Sequence, residues 1–311
     1  MTRQKFNVGG QAVLEGVMMR SPSALAVAVR KSNGEVATKE GPWKSIAARV
    51  PLLSWPFFRG GIILIEALVN GLDALSFSAN QALEDETDEE MSVWAMGLTI
   101  AVSFGLGILL FLALPHYLSL LLGRIGPLSF GVRSVAFHAI DGLLKLSFFL
   151  GYILLISRIK EIGRVFEYHG AEHKSIFAYE AGKDLTVENA REYTTLHPRC
   201  GTAFILIVLI LSILIFSTVF PLISSADQER GWMINIFYVF IKILLMMPLA
   251  GVAYEFNRYA SRHMDRTLLK LAILPGLWVQ KLTTREPTDD QIEIAIIALK
   301  KALAIEDAQQ A

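Results

Sequence analysis

The chain has 311 residues, of which 53% are apolar and only 19% charged, too apolar for two soluble domains of that total length, so the bilayer has to act as solvent for part of it. Twenty-nine Lys and Arg balance twenty-nine Asp and Glu with no pronounced basic run, which excludes the electrostatic footprint of a nucleic-acid-binding protein. Cys200 is the one cysteine, which excludes an intramolecular disulfide framework and fits a reducing compartment.

The first sixty residues contain no short basic stretch leading into an apolar core and a small-residue cleavage site, so the N-terminus is expected to belong to the mature fold. Residues 1–44 are read as a cytoplasmic β-rich segment. Leu25 to Lys31, the turn Ser32-Asn33-Gly34-Glu35 and Val36 to Lys39 predict a hairpin, because Asn-Gly supplies the positive φ of a tight turn. The string before it, Gly9-Gly10-Gln11-Ala12-Val13-Leu14-Glu15-Gly16-Val17-Met18-Met19-Arg20, mixes glycines and polar residues and does not read as a plain strand.

Residues 45–90 read as an amphipathic, interfacial helix followed by an acidic linker. Glu66, Asn70 and Asp73 fall on one helical face, as expected of a helix lying along the membrane surface or on the cytoplasmic mouth. The run Glu84 to Glu90 is a solvated linker by composition.

Four stretches are long and apolar enough to span roughly 30 Å of hydrocarbon: 91–114, 132–157, 202–223 and 232–254, arranged as two pairs within 91–157 and 202–254. Lys and Arg number nine in residues 1–90, seven in 158–201 and eight after residue 254. The connections 115–131 and 224–231 hold one each. Cytoplasmic connections carry the excess, so both termini are expected in the cytoplasm. The expected fold is therefore mainly α: a polytopic membrane protein of about four transmembrane helices plus a cytoplasmic α+β part.

Two of those spans carry ionisable groups. Ser134, His138, Asp141 and Lys145 lie within about 60° on one face of the second span, and Asn235, Tyr238 and Lys242 share a face of the fourth. Intramembrane charges are expensive and face a cavity, a partner or a pathway. His138, Asp141, Lys145 and Lys242 are thus either a self-neutralising cluster that fastens helices or the lining of a polar path through a homo-oligomeric channel or transporter, with two Lys against one Asp biasing it toward anions.

The cytoplasmic connection 158–201 holds His169-Gly170-Ala171-Glu172-His173, the H-x-x-E-H arrangement of one class of zinc hydrolases. Positions i and i+4 of a helix let two imidazoles grip one ion, and the Glu between them can take a proton from water. Ile159, Ile162, Phe166, His169, His173 and Ile176 recur at helical spacing and make one apolar stripe, so the histidines are expected to be buried with Glu172 at the stripe's edge. Gly170 weakens the helix by roughly 1 kcal/mol, pointing to a close approach there. Metal ligands would be His169 and His173 with a third from His197, Cys200 or Glu255, and Glu172 would be the catalytic base. The bland alternative is a pair of hydrogen-bonded structural histidines.

Residues 255–311 read as cytoplasmic helices. Tyr254 to Leu274 continues as a basic helix, Pro275-Gly276 is expected to break it, and Thr288 with Gln291 makes a capping box for a final helix, whose first turn Asp289 and Asp290 favour.

The strings Gly9 to Arg20, His169-Gly170-Ala171-Glu172-His173-Lys174 and His197-Pro198-Arg199-Cys200-Gly201-Thr202, together with Pro275-Gly276-Leu277 and Thr283-Thr284-Arg285-Glu286-Pro287, resemble the YqhQ-like family of bacterial integral membrane proteins over nearly the whole chain. The resemblance implies a bacterial cytoplasmic (inner) membrane location and a domain of unknown function, sometimes labelled a predicted metal-dependent enzyme. Three readings follow: a metal-dependent hydrolase with a cytoplasmic-side site and a divalent ion such as zinc, a homo-oligomeric channel or transporter, and a membrane scaffold that binds a protein partner.

Overall fold

The computed structural model describes residues 6–83, 93–125, 130, 134–218 and 232–310. The acidic run 84–90, the connection 224–231 and part of 115–131 lie outside the described residues. The chain is mainly helical, with one small antiparallel sheet near its N-terminus.

The sheet is a meander of β1 (Gly9–Val13), β2 (Gly16–Arg20), β3 (Ala24–Arg30) and β4 (Val36–Pro42) in that order. The predicted hairpin is β3–β4, with Gly34 at φ 87. The glycine-rich string ahead of it is a second hairpin, β1–β2, with Val13 paired to Gly16 across Leu14-Glu15. Glu15 takes the left-handed conformation itself, at φ 50, so the turn lacks the glycine or asparagine that would announce it in sequence. Gly16 is required by close approach: a Cβ there would lie 2.3 Å from the Ala28 carbonyl oxygen.

Strand alternation divides the sheet between two cores. Val17, Met19, Ala26 and Ala28 face α6 (Lys160–Ala181) and the last helix, α11 (Asp289–Gln310). Alanines at 26 and 28 let Ile292, Ala295 and Leu299 of α11 sit close to the strands. The other face, Val13, Met18, Val27 and Val29, packs on Ala74 and Phe77 of α2 (Pro56–Leu83). The short α1 (Ile46–Arg49) joins β4 to that helix.

Among the described residues, five helical stretches are long and apolar enough to cross a membrane: Pro56–Ala82, Gly97–Ile125, Val135–Ile156, Gly201–Thr218 and Ile236–Arg262. Four correspond to the expected spans, with shifted bounds. The first expected span ends at 114, whereas α3 (Val93–Ile108) passes through a π-helical turn at Leu109–Ala113 into α4 (Leu114–Ile125); a proline at the second position of α4 is tolerated where the helical ladder is already interrupted.

The fifth candidate is α2. Its first half lies against the fourth predicted span, α9 (Trp232–Arg262), where Gly60 abuts Ala250 and Gly251, and Gly61 abuts Met247. Its second half belongs to the sheet: Gln11 donates to the Ala67 carbonyl at 3.1 Å and Lys39 pairs with Asp73 at 2.8 Å. Glu66, buried between the halves, accepts hydrogen bonds from Ser45 Oγ and the Ile46 backbone N–H at the start of α1.

The helices α5 (Val135–Ile156) and α8 (Gly201–Thr218) pack together, α10 (Thr267–Thr283) packs against α8 and α9, and the short α7 (Val187–Arg191) lies in the connection between α6 and α8. Pro275-Gly276 does not end a helix. The break comes earlier, at residues 263–266, and α10 runs through the pair. Gly276 is there for packing: a Cβ on it would lie 2.7 Å from the Ala203 side chain of α8. The capping residues of α11 behave as expected on one side, since the Thr288 N–H donates to Gln291 Oε1 at 2.8 Å.

Candidate metal centre

Helix α6 follows α5 after only Ser157, Arg158 and Ile159, and ends at Gly182 in the left-handed conformation. It is more enclosed than its amphipathic sequence predicts: Tyr168 and Ala171 face the sheet core, while His169 and His173 face the start of α8 and the end of α10. Gly170 is where the segment after α10 crosses α6, as its helix-weakening position anticipates. A Cβ there would lie 2.1 Å from the Arg285 carbonyl oxygen, and the Arg285 N–H donates to the Phe166 carbonyl at 2.9 Å. Gly170→Ala is therefore expected to destabilise the detergent-solubilised chain by about 1–3 kcal/mol through overpacking, read as a lowered Tm, and to displace Thr283 from His169.

That crossing orients the first imidazole. His169 Nδ1–H donates to the Thr283 carbonyl at 2.8 Å, which turns Nε2 toward Cys200 Sγ at 3.2 Å. His173 is set the same way, with Nδ1–H donating to the Thr195 carbonyl. Its Nε2 is buried and, among the described residues, meets no nitrogen or oxygen partner, leaving the Cys200 sulfur as the group that this imidazole acts on. One ligand atom from each of His169, His173 and Cys200 lies within 4.8 Å of the others. Backbone carbonyls on the outer ring nitrogens are the usual way in which metal-binding histidines are held.

For Cys200, burial opposes the thiolate, but the His169 and His173 imidazoles outweigh it and hold the thiol well below its usual value. Burial likewise opposes the His169 imidazolium, yet the Cys200 sulfur and the Glu172 carboxylate raise it to about 9. The two shifts are reciprocal, each group favouring the charged form of the other.

Glu172 is buried and turned toward β1. A Cβ on Gly10 would lie 2.9 Å from its Cδ, so the glycine of the N-terminal string makes room for this side chain. Burial raises its pKa, against the pull of His169 and His173, and Oε2 has no hydrogen-bond partner. It is not one of the three clustered ligand groups.

Of the other predicted ligands, His197 lies beside the cluster without joining it, its ring centre 5.6 Å from that of His173, and Glu255 lies elsewhere. His197 is buried, with Nδ1 accepting from the Arg199 N–H at 3.2 Å and Nε2 3.4 Å from Glu180 Oε2. Burial first and His173 second lower it to about 4, so it is neutral. Glu255 forms an ion pair with Arg59 on α2. Of the three candidates for the third ligand, the fold brings Cys200 to the histidines. It does so through Gln280, which sequence reasoning missed: its side chain accepts from the His197 N–H and donates to the His197 carbonyl, both at 2.8 Å, pinning the loop before Cys200.

The intramembrane groups converge separately. Asp141 Oδ2 accepts from Lys145 Nζ and Lys242 Nζ, each at 2.8 Å, so two lysines share one carboxylate oxygen. His138 neighbours Phe137, and the Lys242 ammonium lies 5.6 Å from the Phe137 ring and 5.8 Å from the Phe216 ring.

Comparison with known proteins adds relatives but no reaction. The family described as "Protein of unknown function (DUF1385)" matches residues 55–305. The chain is 34% identical over 310 residues to "Uncharacterized protein YqhQ" of Bacillus subtilis (strain 168), covering 96% of this chain and 92% of that protein. No solved structure matches. Matched over most of its length by both, the chain belongs to the DUF1385 family of YqhQ-like proteins.

Proposed function

We propose that this protein is a metal-dependent hydrolase of the bacterial cytoplasmic membrane, with a zinc-type site of His169, His173 and Cys200 on the cytoplasmic side. The observation that carries this reading is the pair of imidazoles whose Nδ1 atoms are both engaged by backbone carbonyls while Nε2 of His169 meets the Cys200 sulfur and Nε2 of His173 is buried without a nitrogen or oxygen partner. Two nitrogens and a thiolate suit zinc, and a tetrahedral site separates such N and S ligands by about 3.5 Å, close to the 3.2 Å found here. Three protein ligands are also the number that leaves a position open for water or substrate.

When bound, the ion would supply Lewis acidity, lowering the pKa of water and polarising the bond to be cleaved. Glu172 is the general base: its carboxyl is held near the cluster with one oxygen free and its pKa raised by burial. Water adds across the scissile bond, and Glu172 takes its proton and returns it to the leaving group. His197, neutral and engaged on both nitrogens, positions the Cys200 loop.

The topology supports a cytoplasmic site. The Lys and Arg excess lies in residues 1–90, 158–201 and 255–311, the segments that build the sheet and the cluster. A sheet-bound second half of α2, carrying Asp73 and the Gln11 contact, favours four complete spans, with α2 entering the membrane by its first half alone. Both termini are then on one side.

The test is metal content. Full-length protein purified without chelator is expected to hold one zinc per chain, and a His169→Ala, His173→Ala double variant none. Purified wild type that takes up no divalent metal would sink the reading. A channel or transporter lined by α5 and α9 remains the second reading, favoured by one observation: Asp141 Oδ1 is buried in the bundle with no hydrogen-bond partner beside two lysines.

A further inference from the structure

Gly142 of α5 is held by a close neighbour: a Cβ on it would lie 2.3 Å from the Ile213 side chain of α8. Gly151, farther along the same helix, has no such reason, since a Cβ there meets nothing within 4 Å among the described residues. A glycine inside a helix costs about 1 kcal/mol relative to alanine. The chain therefore keeps a space at Gly151 that it does not fill itself.

That space is a groove between α5 and the π-helical turn Leu109–Ala113. Leu110, Ser147, Phe148, Gly151, Tyr152 and Leu155 line a volume of about 370 Å³ that opens outward from the helices. The π turn braces one wall: Phe111 meets the Tyr152 ring edge-on, with 5.4 Å between centroids, and such turns are frequent at functional sites. Ser147 Oγ donates to the Leu143 carbonyl at 2.9 Å, so the lining serine spends its hydrogen on its own helix. The surface left to an occupant is apolar.

Both walls belong to stretches long and apolar enough to cross a membrane, Gly97–Ile125 and Val135–Ile156, and Leu106, Leu109, Leu154 and Leu155 are exposed around the groove. The groove is thus continuous with the lipid-facing surface, and size decides what fills it. Ser147 to Leu155 covers about 12 Å of helix axis, so the volume corresponds to a cross-section of roughly 30 Å², against roughly 80 Å² for a helix 10 Å across. A single hydrocarbon chain fits lengthwise, whereas the helix of a second copy does not. Small residues bring two helices together where they repeat along a face, and the row Ser147, Gly151, Leu155 ends in a leucine after one turn.

We infer that this groove binds one acyl chain of a bilayer phospholipid. An apolar chain gains no hydrophobic free energy by moving from lipid to the groove, so the preference comes from dispersion contacts with Leu110, Phe148 and Tyr152 along a matching shape. On the proposed orientation α5 ends in the cytoplasm, which places the groove in the cytoplasmic leaflet. The inference is independent of the metal cluster and of the hydrolase reading.

The experiment is photolabelling of the full-length chain in phosphatidylethanolamine–phosphatidylglycerol vesicles that carry a trace of phospholipid with a diazirine in one acyl chain, the adducts being mapped by peptide mass spectrometry. Adducts are expected to concentrate on Leu110, Phe148 and Tyr152, above the level at Leu98 and Leu106, which are exposed on α3. Gly151→Leu fills the groove and should lower labelling there at least about threefold, while Leu98 and Leu106 keep theirs. Its fold is safe, because the added Cβ meets nothing and leucine is the better helix former, and a Tm at or above that of wild type checks this. Ser147→Leu should act in the same way from the other end of the row, and Gly107→Leu, at an equally open glycine of α3, should leave the groove labelled. Labelling spread evenly over exposed residues, or groove labelling untouched by both groove variants, would overturn the inference. So would a diazirine free fatty acid that labels the groove where the phospholipid does not. An unlabelled groove, with Ser147→Cys chains linked in pairs by a thiol crosslinker and wild type, whose Cys200 is buried, left unlinked, would replace the lipid by a second copy of the chain.

Discussion

On the proposed zinc site, Cys200→Ser is expected to lower the zinc affinity of the full-length chain by about 100-fold or more, because it would remove the proposed sulfur ligand and leave two imidazoles. Competition with a chromophoric chelator measures it. Retention of zinc at wild-type affinity would move the third ligand away from Cys200. Glu172→Gln is the companion variant: it should bind zinc normally while losing about 10²–10⁴-fold in turnover once a substrate is in hand, since Glu172 stands outside the ligand group. The sign of the pH effect follows from the pair itself. His169 keeps its proton up to about 9 without metal, and that proton must leave Nε2 before it can ligate, so zinc loading weakens as pH falls.

The second large effect is expected in the membrane. Asp141→Asn leaves Lys145 and Lys242, both now at 2.8 Å from one carboxylate oxygen, without their counter-charge in the bundle. Removing one partner of a buried ion cluster costs about 3–5 kcal/mol, whereas replacing charges by apolar groups of similar volume is near neutral. Asp141→Asn should therefore lower the Tm in detergent strongly, and adding Lys242→Met and Lys145→Met should recover most of the loss. Full recovery with wild-type function would identify the cluster as a helix fastener. Recovery of stability with loss of an ion flux in proteoliposomes would identify a pathway instead.

These two clusters differ in how far they could be read in one dimension. Asp141 and Lys145 are i, i+4 on one helix, and their shared face needed only helical periodicity; that Lys242, 101 residues away on another helix, meets them needed the packing of the two helices. His169 and His173 were equally plain, and so was the demand for a close approach at Gly170. The choice among His197, Cys200 and Glu255 was not. It depends on Gln280, 83 residues from His197, clamping the loop, and on Thr283 and Arg285 crossing α6, contacts between segments that no periodicity links. The first hairpin was missed for a local reason: Glu15 adopts a positive φ usually left to Gly or Asn. Pro275-Gly276 was misjudged because a breaker signal and a close-packing signal are the same two residues, and only Ala203 across the interface tells them apart.

By itself the sequence determined the membrane character, four of the five apolar helices, the β3–β4 hairpin and the histidine pair, because apolar length, charge placement and helical spacing are properties of short contiguous stretches. The tertiary structure decided that Cys200, rather than His197 or Glu255, joins His169 and His173 in one cluster, the direction of Glu172 toward Gly10 and the double allegiance of α2. Each of these joins segments far apart in the chain, and which of them meet is fixed by packing of whole elements.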